Sequence, residues 1–342
     1  MPRNDDLSTG LHPMAQTPAF VTLLAELQAG LRRYWETADQ ILRPCGVTLQ
    51  PYTETAFSLA KNFFSMLFLY SYQRAGIPPG RRLVYAAILQ CLRGMVTGCD
   101  NLLDDEYKPT LETDLPPCGH RFRSVVDIMV SDRVLFQILL QAARGGAIAL
   151  EQVSPAAAAS MQTMTRSGIE EAGEEGGVTD ILAPDAILRT VHHFKTGLLF
   201  QCPWDIPRAI ETTDEAHLSP LLEGLYQIGM GCQIMDDMVD MPIDVRARKH
   251  NYLVSLIHHG ESTDESVQLA DAMASETHVV SGALHVDRFP NAARKARQTA
   301  HRFLIRGFDL LFAREHRELT PHAIRFLEQR IGVAPAERGT PP

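Results

Sequence analysis

The sequence predicts an all-α protein, and three observations carry that expectation. Proline punctuates the chain at wide intervals, leaving proline-free segments 52–77, 80–108, 118–153 and 243–289, each longer than a strand needs and right for one or two helices. Within them apolar residues recur at spacings of three and four, as at Leu135, Ile138, Leu139 and Ala142. Alternating Val/Ile/Thr runs bounded by turn residues are nearly absent, so no sheet is expected.

Taken in order, segment 52–77 carries the apolar run Phe63 to Tyr70 and stops at Pro78-Pro79-Gly80. Segment 80–108 carries Leu83 to Leu92, with Arg93 as its single charge between Arg82 and Asp100. A loop follows from Pro109 to Gly119, then the helical pattern of 118–153. Gly173-Glu174-Glu175-Gly176-Gly177 and Thr212 to Pro220 read as further loops, on either side of the amphipathic stretch His192-His193-Phe194-Lys195-Thr196. From about Leu221 a long apolar run reaches Asp244. Residues 1–18 and 334–342, rich in Pro and polar residues, read as mobile tails flanking one domain, 19–333.

Composition narrows the function. The 342 residues include 32 Lys+Arg and 41 Asp+Glu, a formal charge of −9, which argues against a nucleic-acid partner because phosphates need a basic face. The longest uncharged apolar stretches are too short to span a bilayer, and no basic flank with an apolar run opens the chain. Six scattered cysteines without a C-x-x-C pair suit a reducing, cytoplasmic setting and supply neither a zinc site nor a disulfide framework.

Two acidic clusters carry the chemistry. In Asp100-Asn101-Leu102-Leu103-Asp104-Asp105, Asp100 and Asp104 are one turn apart on a helix, with Asp105 to one side. In the second, Asp236, Asp240 and Asp244 follow a four-residue step and would line one stripe, although Pro242 threatens to kink or end the helix before Asp244. Each alone reads equally as a solvated helix end. Two such clusters, both closing apolar helical runs and more than 130 residues apart, point instead to hard oxygen ligands for Mg²⁺ and, through the metal, to a diphosphate.

With these motifs on the page, residues 60–260 resemble the all-helical class I isoprenoid synthases. Asp100-Asn101-Leu102-Leu103-Asp104 is similar to the first DDxxD motif of the trans-prenyl diphosphate synthases, with Asn in the second place. Gln233 with Asp236-Asp237-Met238-Val239-Asp240 is similar to their second motif. Lys195-Thr196 resembles their Lys-Thr diphosphate contact, Gly80-Arg81-Arg82 their basic Gly-Lys-Arg motif, and Ser131-Asp132 their Gly-Asp motif. The Arg-Arg-Gly that follows the first motif in that branch is missing; the chain runs Glu106-Tyr107-Lys108-Pro109, and the nearest arginines are Arg121 and Arg123. His250-Asn251-Tyr252-Leu253-Val254 and the 0, +4, +8 spacing of Asp236, Asp240 and Asp244 are similar instead to bacterial terpene cyclases.

The resemblance implies a helical bundle around a deep central cavity, three Mg²⁺ ions held by Asp100, Asp104, Asp105, Asp236, Asp240 and Asp244, and a homodimer. It implies diphosphate contacts from Lys195, Arg246, Arg248, Lys249, Arg81 and Arg82. Arg246, Arg248 and Lys249 read equally as a helix cap, and Arg81 and Arg82 as solvent-facing helix starts. Met95 and Val96, one turn before Asp100, offer no bulky aromatic floor, which suits an allylic prenyl diphosphate of C15 or longer. His192-His193 lacks one-turn ligand partners and reads as structural. The expectation is a terpene cyclase acting on one linear allylic diphosphate. A prenyltransferase that adds isopentenyl diphosphate is the alternative, and a catalytically silent partner subunit the third reading.

Overall fold

The computed structural model describes residues 10–104, 107–274 and 284–333. Its helices are α1 (His12–Gln16), α2 (Pro18–Leu42), α3 (Phe63–Arg74), α4 (Pro79–Leu103), α5 (His120–Arg144), α6 (Val153–Gly173), a π-helix (Ile187–Gly197), α7 (Asp205–Ile210), α8 (Glu215–Ala247), α9 (Tyr252–His258), α10 (Thr263–Ala274), α11 (Pro290–Leu311) and α12 (Thr320–Ile331). The all-α expectation holds. Extended pairing among the described residues is confined to one antiparallel bridge, Leu49 with Thr113.

The chain falls into two compact units: residues 11–168 with 201–221, and residues 1–10 with 169–200 and 222–342. In the first, α4 lies against α2 and α5. Gly94 and Gly98, one turn apart on α4, set the closeness of α5: a Cβ at Gly94 would lie 2.1 Å from Ser131 Oγ, and one at Gly98 2.6 Å from Ile128 Cγ1. Ser131 hydrogen-bonds the buried Tyr34 hydroxyl at 3.0 Å, so the tight crossing also satisfies a polar pair in the core. Trp204, fully buried, donates from Nε1 to Ser71 Oγ at 2.8 Å and meets Tyr72 edge-on. These aromatics form core, as a Phe and Trp pattern at helical spacing ordinarily does.

In the second unit α8 crosses α11 with backbones almost touching: a Cβ on Gly224 would lie 2.9 Å from the Gly307 carbonyl oxygen. Pro242 does not end α8, which runs on to Ala247 and keeps Asp244 in helical register with Asp236 and Asp240. The expected N-terminal tail is partly wrong. Residues 1–9 lie outside the described residues, as does the tail at 334–342, but His12–Gln16 is helical and Leu11 and Met14 are buried. An apolar pair three residues apart, with Pro13 at the helix start, was enough to anchor it.

Candidate active site

The acidic stripe of α8 sorts its aspartates by direction. Asp236 is exposed and Asp240 half-exposed, one turn apart on the same helix. Asp237, between them, turns inward and is 3% exposed. Its carboxylate accepts from Gln233 Nε2 at 3.0 Å, from the Tyr252 amide at 2.5 Å and from His192 Nε2 at 3.0 Å. Gln233 in turn accepts from the Thr196 hydroxyl. The inward aspartate is therefore a structural anchor, and its neighbours are left as the metal-facing candidates.

Asn251 closes this network. Its amide nitrogen donates to the Asp237 carbonyl at 2.7 Å and to Asp244 Oδ2 at 2.8 Å, while its side-chain oxygen caps α9 by accepting from the Val254 amide. Asp244 thus stands on the stripe already hydrogen-bonded. Burial, with the negative charges of Asp237 and Asp240, pushes its carboxyl up to about 7 against the opposing Asn251 bond and Lys195 charge. The structure brings Lys195 and Asp244 into one electrostatic neighbourhood, although 49 positions separate them in sequence.

Lys195 sits in the π-helix, 9% exposed, with its ammonium 2.9 Å from Glu174 and 3.1 Å from Glu171. Burial alone would lower its pKa; the two carboxylates outweigh that and hold it above the ordinary lysine value. The acidic Gly-rich loop is therefore the counter-ion of the lysine, a relationship the sequence did not disclose. The other oxygen of Glu174, Oε1, is buried without a partner. Arg248 is left-handed at φ 54°, its carbonyl accepting from the Val178 amide at 2.7 Å, with Gly177 opposite also left-handed. Its backbone terminates α8, so the cap role of this basic knot is realised. The side chains of Arg246 and Arg248 are exposed and Lys249 is half-buried.

In the other unit, Asp100 lies in the last turn of α4 and Asp104 follows as its C-cap, both exposed. Asp105 lies outside the described residues. Asn101, the departure from DDxxD, is 2% exposed and clamps the loop after the motif: its amide donates to the Lys108 carbonyl at 3.1 Å and accepts from the Lys108 amide at 2.8 Å. A carboxylate there could accept but not donate, so asparagine is the residue this loop requires. Arg123, one of the two nearest arginines, is committed to the Tyr107 hydroxyl at 2.7 Å and the Leu115 carbonyl at 2.9 Å.

Arg81 and Arg82 correct the expectation. They sit at the opposite end of α4 from Asp100, about 27 Å away for 18 residues of helix at 1.5 Å each. Arg82 is buried and bidentate to Glu26 at 2.8 and 2.5 Å, and Arg81 pairs with Glu211 at 2.6 Å. Neither reading made from the sequence, substrate contact or solvent-facing start, describes Arg82; it is a buried ion pair that joins α2 to α4.

Among the described residues no three His, Cys, Asp or Glu side chains form a ready-made metal cluster. The donor chemistry nonetheless fits Mg²⁺, which binds through one or two carboxylates and completes its shell with water and phosphate oxygens. Asp100 with Asp104, and Asp236 with Asp240, each supply such a pair.

No protein-family model matches the sequence, and no curated protein does. Solved structures do. The geranylgeranyl pyrophosphate synthetase of Pyrococcus horikoshii Ot3 is 15% identical, with a TM-score of 0.60 over 90% of this chain and 98% of that one. A decaprenyl diphosphate synthase from Rhodobacter capsulatus is 15% identical, with a TM-score of 0.58 over 95% and 98%. A polyprenyl synthase from Caulobacter crescentus CB15, complexed with calcium and isoprenyl diphosphate, is 13% identical, with a TM-score of 0.62 over 90% and 97%. The chain therefore has the all-helical fold of the trans-prenyl diphosphate synthase-like isoprenoid synthases.

Proposed function

We propose that this chain is a magnesium-dependent enzyme that ionises an allylic prenyl diphosphate of C15 or longer. The observation that carries it is the sorting of aspartates on α8: Asp236 and Asp240 kept at the surface while Asp237 between them is tied down by three hydrogen bonds. Solvation alone gives no reason to fix the middle residue so firmly. Asp100 with Asp104, and Asp236 with Asp240, each hold metal that diphosphate oxygens complete, with Asp105 and Asp244 as further ligands of a three-ion set. When bound, Mg²⁺ offsets the charge that develops on the diphosphate as the allylic C–O bond breaks. Lys195, Arg246 and Lys249 contact the departing diphosphate oxygens, Lys195 while shared with Glu171 and Glu174. The buried network Thr196–Gln233–Asp237–His192 keeps the α8 carboxylates in place without reorganisation, as electrostatic catalysis requires.

Prenyl transfer to isopentenyl diphosphate is the fate of the cation that the like-folded structures favour, since those named above are prenyl diphosphate synthases. The Caulobacter protein, with its calcium and isoprenyl diphosphate, supports the metal and the substrate class. Cyclisation of a single substrate has one specific observation in its favour. A second diphosphate needs its own cations, and Arg81, Arg82 and Arg123 are all engaged elsewhere.

The test is incubation with Mg²⁺ and C10, C15 and C20 allylic diphosphates, with and without isopentenyl diphosphate. Elongated diphosphates formed only with the second substrate establish the transferase; a hydrocarbon or terpene alcohol from one substrate establishes the cyclase. Release of no diphosphate under any condition refutes both and leaves the silent-partner reading.

A further inference from the structure

The negative charge of the chain is not evenly spread. Residues 290–333 carry nine Lys or Arg against four Asp or Glu, within a chain whose totals are 32 and 41. Helix α11 concentrates this asymmetry on one side. Ala292, Ala296, Ala300, Leu304, Phe308 and Leu311 are buried, while Arg294, Lys295, Arg302 and Arg306 are exposed, with Asp309 the acid among them.

At the C-terminal end of this face, Arg302, Ile305, Arg306, Asp309, Leu310 and Arg317 line a shallow cavity of ≈ 480 Å³. The three guanidiniums are weakly committed. Arg302 donates to Thr299 Oγ1 at 3.1 Å, Arg317 to the Asp309 carbonyl at 3.3 Å, and Arg306 is 3.9 Å from Glu223 with both side chains well exposed. Such an exposed, long pair contributes little, so these cations are available to another anion. Ile305, 47% exposed, stands between two of them.

We propose that this face of α11 docks the protein on an anionic lipid surface. Guanidiniums pair with phosphate oxygens in forked geometry, and each basic residue close to an anionic bilayer contributes about 1 kcal/mol. The intervening aliphatic side chain has no role against a phosphate alone, but it enters the boundary between headgroup and acyl chain. A soluble polyanion would leave Ile305 and Leu310 idle, and a nucleic-acid strand would call for aromatic stacking platforms that the face lacks. The overall charge of −9 repels the rest of the chain from such a surface and thereby fixes which side approaches it.

The full-length protein is sedimented with vesicles of phosphatidylcholine alone and of phosphatidylcholine with phosphatidylglycerol, at low and high sodium chloride. Binding is expected only to the anionic vesicles and only at low salt. Arg302→Glu with Arg306→Glu should weaken it by at least tenfold, by the contribution per charge given above, and Ile305→Ser should weaken it by a smaller factor. Circular dichroism and the thermal midpoint verify folding; should the charge reversal unfold the protein, Arg306→Gln with Arg317→Gln repeats the test. Equal binding to neutral vesicles, or wild-type binding by the variants, overturns the proposal. So does release from vesicles by inorganic diphosphate beyond the effect of sodium chloride at the same ionic strength, which identifies a site for free phosphate groups. Equally tight binding of single-stranded RNA, lost in the same variants, assigns the face to nucleic acid instead. None of these readouts depends on turnover, so they stand or fall separately from the proposed reaction.

Discussion

His192 and Asp237 form a buried pair, Nε2 to Oδ2 at 3.0 Å, with side chains 1% and 3% exposed. The pair joins the π-helix to the centre of the acidic stripe of α8. Its other ring nitrogen, Nδ1, is buried without a partner, so the ring is held by one directional contact. Removing one partner of such a pair leaves the other desolvated and costs about 2–4 kcal/mol. His192→Phe should therefore lower the unfolding free energy by that order in urea titration. His192→Gln, whose amide nitrogen can reach the same oxygen, should recover much of the loss. Equal destabilisation by Phe and Gln would mean that ring packing, not the hydrogen bond, is what matters.

Adjacent aspartates on α8 should separate stability from turnover. Asp237 accepts three donors, and the NH₂ of an asparagine would face at least one of them. Asp237→Asn should destabilise by about 2 kcal/mol or more. Asp236→Asn and Asp240→Asn, at exposed or half-exposed positions, should change stability by less than about 1 kcal/mol yet abolish diphosphate release. Full turnover in either surface variant would remove that residue from the metal site.

Lys195 combines a structural and a proposed chemical role, and a double variant divides them. Lys195→Gln leaves Glu174 buried, 3% exposed, beside an uncharged partner, at an expected loss of about 2–4 kcal/mol. Adding Glu174→Gln should restore most of that stability. If the ammonium contacts diphosphate, the double variant still shows a KM for the allylic substrate at least tenfold above wild type. A normal KM in the restored protein would confine Lys195 to its ion pairs.

The fold was legible because its cause is local: helix-long segments between prolines, with apolar residues at three and four, dictate helices whatever they later pack against. The acid stripe was legible for the same reason, since a four-residue step fixes a common face within one helix. What could not be read was which charge answers which. Glu174 lies 21 positions before Lys195, Glu26 56 before Arg82 and Glu211 130 after Arg81. Nothing in spacing announces such pairs. A basic dipeptide after Pro-Pro-Gly looks like a substrate contact until its partners are seen. Asn101 carried a usable signal, because an amide that replaces an acid in a metal motif suggests a need to donate as well as accept.

Asp127 gives a pH signature independent of the metal. Its carboxyl is 2% exposed on α5, accepting from the Thr110 hydroxyl at 2.9 Å. Burial pushes it up to about 6, against the lowering effect of Thr110 and Arg123. A folded-state value above the unfolded one, about 3.9, means that the fold favours the protonated acid. That contribution is fully present below the unfolded value and is lost as pH rises through about 6. Asp127→Asn cannot titrate. The difference in unfolding free energy, wild type minus variant, should therefore fall by up to about 3 kcal/mol between pH 4 and pH 7, whatever constant offset the amide introduces. Urea titrations at a series of pH values measure that difference directly. A flat difference across the window would show that Asp127 is ionised in the folded protein throughout, with its donors outweighing burial.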